Sequence, residues 1–175
     1  AVRLESLYRC EFHNDAVSFV LHTTEDDTLD ACIFFNKPSL IQFAFEGAPR
    51  QVEFAIFNEE GRKLPIEHAH QVVKDCCKYS ESITKSSKFK IVANSNLLSV
   101  FHSLAPYKKE GSRKYGLNFH GRGGGASNKN CKMVQGQNQI VLQMVKCDRN
   151  AFHLDFSAPL NAVEAFGFAL AQLDL

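Results

Sequence analysis

Short apolar runs, many alternating with polar residues at a period of two, recur along most of the chain. They predict strands at Val17–His22, Ala31–Phe35, Leu40–Phe45, Val52–Phe57, Phe89–Ala93, Leu97–Leu104, Tyr115–His120, Lys132–Gln135, Gln139–Lys146 and Phe152–Phe156. The breaks carry turn residues, among them Asp26-Asp27, Asn36-Lys37-Pro38, Glu46-Gly47 and Gly136-Gln137-Asn138. Many short strands with no regular strand–helix alternation predict an antiparallel barrel or sandwich and exclude a parallel sheet.

Two segments follow a helical period instead. Pro65–Tyr79 places Ile66, Ala69, Val72, Val73, Cys76 and Cys77 on one side, which predicts a short amphipathic helix opened by Pro65. Pro159–Leu175 is apolar around almost its whole circumference, so the expected helix is enclosed, with Phe166, Phe168 and Leu170 inside. A sheet closed around that helix is the simplest housing, and small residues such as Ala165, Gly167 and Ala169 would let its walls approach. The fold class expected is therefore mostly β: a closed antiparallel β-barrel around a buried hydrophobic C-terminal helix.

Composition narrows the function classes. A chain of 175 residues is one domain, 1–175, with a core large enough to need no covalent staples. The formal charge of +1 excludes a strongly basic surface of the kind that binds nucleic acid in bulk, so any anion site is local. Six cysteines are too sparse for a disulfide scaffold, which predicts reduced thiols and a cytoplasmic location. No apolar run approaches the ~18 residues of a spanning helix, and the start at Ala1 has no basic-then-apolar leader pattern.

Candidate chemistry is thin. Gly121-Arg122-Gly123-Gly124-Gly125 lacks the Gly-Lys-Ser/Thr ending and the following helix of a phosphate loop, so a flexible connection between strands is expected. His68 and His70 diverge on a helix, and no CxxC or HxxxH spacing accompanies Cys76 and Cys77, so no metal site is assigned. No nucleophile elbow or carboxylate pair is present, and Asp155 is expected to end a strand or cap the last helix. These residues imply neither an enzyme nor a cofactor.

Two C-terminal stretches are more specific. LNFHGR at Leu117–Arg122, continued by ASNKN at Ala126–Asn130, resembles the LNFxGR...ASxKN signature of the tubby-like C-terminal domain. FHLDFSAPLNAVEAFGFALAQLD at Phe152–Asp174 is similar to that family's second signature, and FAIFNEEG at Phe54–Gly61 resembles one of its strand-and-turn elements. The motif residues carried over are Asn118, Phe119, Gly121, Arg122, Asp155, Pro159 and Phe166, in structural roles.

The resemblance implies a closed barrel around a C-terminal helix and a non-enzymatic binding role. The family's ligand is phosphatidylinositol 4,5-bisphosphate at the inner face of the plasma membrane, and its members act as membrane-tethered regulators, adaptors or ubiquitin-ligase components. Where the family carries a basic run, this chain has Phe34–Ser39 with Lys37 alone. Arg50 stands near the place of a second basic element, and Arg62 and Lys63 complete the lipid-binding candidates. The reading is thus a tubby-type module with a degraded basic lipid site; the alternative is a protein-interaction domain of a ubiquitin-ligase substrate adaptor without lipid binding.

Overall fold

A computed structural model describes residues 8–12, 18–23, 28–36, 50–81, 87–91, 96–108, 110–111, 115–123 and 125–174. In chain order its elements are β1 (Tyr8–Phe12), β2 (Ser18–Thr23), β3 (Leu29–Asn36), β4 (Gln51–Phe57), a 3-10 turn (Gly61–Lys63), α1 (Ile66–Cys76), β5 (Cys77–Glu81) and β6 (Ser87–Ile91). After these come β7 (Leu98–Ser103), β8 (Tyr107–Lys108), β9 (Tyr115–Gly116), β10 (Cys131–Gln135), β11 (Gln139–Asp148), β12 (Ala151–Phe156) and α2 (Ala162–Asp174). No described helix is long and apolar enough to cross a membrane.

Eight strands form one antiparallel sheet in the order β1-β2-β3-β4-β7-β10-β11-β12, and β5-β6 and β8-β9 are separate hairpins. The expected closure is not reached: β1 and β12 end the sheet and do not pair with each other among the described residues. Helix α2 touches β12 at one end of the sheet and β2 and β3 near the other. The sheet therefore curls around the helix, and the helix spans the opening.

That placement explains which side of α2 is buried. Ala165, Phe168 and Ala171 are fully enclosed, and Phe168 stacks on Phe54 of β4 with ring centroids 5.2 Å apart. Phe54 in turn meets Phe101 of β7 at 5.6 Å. Gly167 lets α2 lie close to β2: a Cβ there would come 2.9 Å from Leu21 Cδ2, so the Leu21 side chain would have to shift. On the outward side Phe166, Leu170 and Leu173 are 44, 45 and 46% exposed. The expectation that Phe166 and Leu170 fill the interior is thus corrected, because a helix lying across an open sheet buries one stripe rather than its whole circumference.

Strand β3 runs against both helices and is buried from Leu29 to Phe35. Leu29, Phe57 and Ala69 make a smaller cluster under α1, with Leu64, Val72 and Leu98 packed against it. Other expectations shift at their edges. The predicted helix at Pro65–Tyr79 stops at Cys76, and Cys77 opens β5, paired with Ile91 of β6. The last helix starts at Ala162 rather than Pro159, because Asn161 caps it: Asn161 Oδ1 accepts from the Val163 and Glu164 N–H groups at 2.9 Å each. Glu164 Oε2 accepts in return from Asn161 N at 2.8 Å, completing a capping box. The predicted strand Leu40–Phe45 lies outside the described residues.

Candidate functional site

The predicted strand Tyr115–His120 is a strand only at Tyr115–Gly116. From Leu117 the chain turns across the outer side of β10, β11 and β12 as a strap that reaches Asn130. Local side-chain bonds shape it: Asn118 Oδ1 accepts from His120 N at 2.9 Å, and Ser127 Oγ accepts from Lys129 N at 3.1 Å. His120 and Gly121 both take positive φ, at 50° and 81°.

Three contacts fasten the strap. Arg122 meets Asp155 of β12 at two points, Nε donating to Oδ2 at 3.0 Å and Nη2 to Oδ1. Gln143 Nε2 of β11, the cross-strand neighbour of Asp155, donates to the same Oδ2 at 2.7 Å. These donors hold the Asp155 carboxyl below its ordinary range, Arg122 contributing first and Gln143 next. The second contact is the Phe119 ring, which lies 5.2 Å from Lys132 Nζ; Lys132 is almost fully buried.

The third contact uses the glycines. Gly125 N donates to Lys146 O at 3.3 Å, and the Asn130 amide bridges the pair, giving Nδ2 to Gly125 O at 2.9 Å and taking Lys146 N at 2.8 Å. Gly123 sits so close to β11 that a Cβ would fall 2.1 Å from Val145 Cγ2. The glycine run is therefore not the flexible connection expected from the sequence. Gly123 and Gly125 lie directly on β11, where a side chain would meet Val145 or Lys146, whereas Gly121 is open and takes a positive φ.

The lipid-binding candidates do not form one cluster among the described residues. Arg50 precedes β4, half-buried, its guanidinium 6.0 Å from the Phe35 ring centroid, and burial lowers its pKa. Arg62 and Lys63 follow the other end of β4, a strand of seven residues and so about 20 Å away. Arg62 is occupied: Nη2 pairs with the buried Glu164 Oε1, and Nε lies 3.2 Å from Asp30 Oδ1 without a straight hydrogen bond. Burial raises the Glu164 pKa, opposed by the cap at Asn161 and by Arg62. Lys63 is exposed, and Lys37 lies outside the described residues.

The motif residues are located as follows. Asn118, Phe119, Gly121, Arg122 and Asp155 belong to the strap and its anchor. Pro159 follows a cis bond ahead of the α2 cap, and Phe166 is on the exposed stripe. Asp155 lies within β12 and does not cap α2. Sequence reading passed over Lys132 and Gln143, which carry no motif, and over the Asn161-x-x-Glu164 capping pattern, which was legible.

Known proteins match this chain in sequence. Residues 29–175 match the Tub family. The chain is 37% identical to mouse Tubby-related protein 3 over 90 residues, which is 50% of this chain and 19% of that protein. It is 37% identical to Tubby protein homolog 1 of Caenorhabditis briggsae over 81 residues, 45% of this chain and 19% of that protein. With Protein king tubby of Drosophila sechellia the identity is 36% over 75 residues, 42% of this chain and 17% of the relative. The matched part is thus less than a fifth of each of these relatives. With the family match covering most of its length, and the two signature segments joined in space at Arg122 and Asp155, the chain belongs to the Tub family.

Proposed function

We propose that this domain is a non-enzymatic binding module whose main partner is a protein, with no cluster of cations that reads a phosphoinositide head group among the described residues. The observation that carries this reading is the separation of Arg50 from Arg62 and Lys63 by the length of β4, with Arg62 already held by Glu164 and Asp30. Head-group recognition needs several cations around one phosphate cluster, and an inositol bisphosphate is far smaller than that separation. The apolar stripe Phe166, Leu170 and Leu173 supports a protein partner, being a surface that a head group would not cover. Among the roles that the family resemblance implies, an adaptor role, including that of a substrate-facing part of a ubiquitin ligase, is the form that fits a protein partner. The second reading, phosphoinositide-dependent tethering at the inner plasma membrane, rests on the same family resemblance and on Lys37.

Calorimetric titration with soluble inositol 1,4,5-trisphosphate tests the main reading. No saturable heat is expected. Saturable binding abolished by Arg50→Ala or Lys63→Ala would overturn it.

A further inference from the structure

Helix α2 inverts the usual surface pattern. Between Ala162 and Leu173 its only polar residues are Glu164 and Gln172, and both are buried, while Phe166, Leu170 and Leu173 are exposed. Both polar side chains are fixed inward, Glu164 by Arg62 and the Asn161 cap, and Gln172 by donating Nε2 to Lys129 O at 3.3 Å. A helix with no outward polar side chain over this length is built to be covered.

The strand beside it is open along one edge. β12 pairs with β11 and with no other strand among the described residues. Ser157 N donates to Val141 O at 2.9 Å, which sets the phase of the ladder. The main-chain groups of His153 and Asp155 therefore face β11, and those of Leu154 and Phe156 face the open edge. Phe156 is 44% exposed and shares the α2 side of β12 with Phe152 and Leu154, which pack against the core. Unpaired main-chain groups and an apolar stripe thus border the same opening.

We propose that this opening takes an extended segment of a partner protein, added as a further strand on β12, with alternate apolar side chains resting on Phe156, Phe166, Leu170 and Leu173. The edge and the area of the stripe decide the form of the partner. Main-chain groups along a six-residue edge are satisfied by a strand, and not by a helix or a lipid tail. The four side chains, each 44–46% exposed, together offer roughly 350 Å², taking about 200 Å² for a large side chain. A second folded copy would need roughly 800 Å² from each partner. One strand needs only the edge and the stripe. This inference rests on the protein-partner reading above and adds the form in which that partner is bound.

The test is fluorescence polarisation of the full chain with labelled hexapeptides that alternate Thr with Val, Leu or Phe. Saturable binding is expected for these probes and not for a hexapeptide alternating Thr with Ser. Methylating the alternate amide nitrogens that face β12 should weaken binding by about tenfold or more, whereas methylating the other set is tolerated. Phe166→Asp and Leu170→Asp should each weaken it by about tenfold or more, with melting temperatures close to the parent's. Bound peptide should slow hydrogen exchange at the Leu154 and Phe156 amides, while His153 and Asp155, already facing β11, change less. Any of four results would overturn the proposal: no binding by any apolar probe, equal binding of both methylated sets, binding unaffected by both α2 variants, or a dimer of the chain that the peptides do not dissociate. Absence of peptide binding with no saturable inositol trisphosphate heat would sink this inference alone. Saturable heat would sink the reading on which it rests.

Discussion

Arg122 and Asp155 are 33 residues apart in sequence and meet through two hydrogen bonds, so that the strap and the β12 edge strand are tied at one carboxylate. Because its donors depress the Asp155 pKa, the sign of its pH effect is fixed. The contribution is fully present above the ordinary carboxylate value of about 3.9 and is lost as the pH falls through the lower folded value. Asp155→Asn is therefore expected to lower the melting temperature at neutral pH and to flatten the acid limb of its pH profile. Glu164 has the opposite sign: burial raises its pKa, so its contribution is lost as the pH rises through the folded value. Thermal melts of Asp155→Asn and Glu164→Gln across the acid range check the two signs.

Gly123 rests on Val145 with no space for a side chain. Gly123→Ala must push the strap off β11 or displace Val145, at a cost of roughly 1–3 kcal/mol as for other overpacked sites. Denaturant unfolding should show that loss. Gly136→Ala, at an open turn with φ +58°, would be destabilised by backbone conformation alone.

The two phenylalanines of α2 separate the closed-barrel picture from the open one. Phe168 is fully buried against Phe54, so Phe168→Ala should cost about 3–5 kcal/mol. Phe166 is 44% exposed, and Phe166→Asp should change stability by less than about 1 kcal/mol. Chemical denaturation of both variants gives the comparison; unfolding by Phe166→Asp would mean that the outward stripe is enclosed.

Cysteine reactivity follows burial. The Cys131 thiol is pushed up to about 12, mainly by burial, whereas Cys147 is partly exposed. Brief alkylation of the native protein near pH 8, followed by peptide mass analysis, should modify Cys147 well before Cys131.

Much of the fold was legible from periodicity. The runs around β3, β4, β7, β10, β11 and β12 were found because alternation and turn residues act locally. Sheet closure was not legible, since it depends on whether the end strands meet, and α2 is as apolar as an enclosed helix although one stripe faces outward. Strand β8 was missed because two residues carry no period, and β9 is only the first two residues of the strand predicted at Tyr115–His120. The glycine run was read as a flexible connection for a different reason: composition cannot distinguish a glycine that needs conformational freedom, as Gly121 does, from one that needs thinness, as Gly123 does. For the candidate site, Arg122 and Asp155 were named by resemblance, but their meeting and the support from Gln143 are tertiary facts. Likewise, Arg62 reads as an available cation until the fold brings Asp30 and Glu164 to it.

The most direct test of the proposal that the domain reads no head group compares vesicles matched in total charge, one set carrying phosphatidylinositol 4,5-bisphosphate and the other phosphatidylserine. Dispersed cations cannot fix an inositol phosphate in register, so the two affinities should agree within about twofold and fall together with salt. Tight binding confined to the phosphoinositide vesicles and lost on Lys37→Ala would contradict this and restore head-group recognition as the function of the domain.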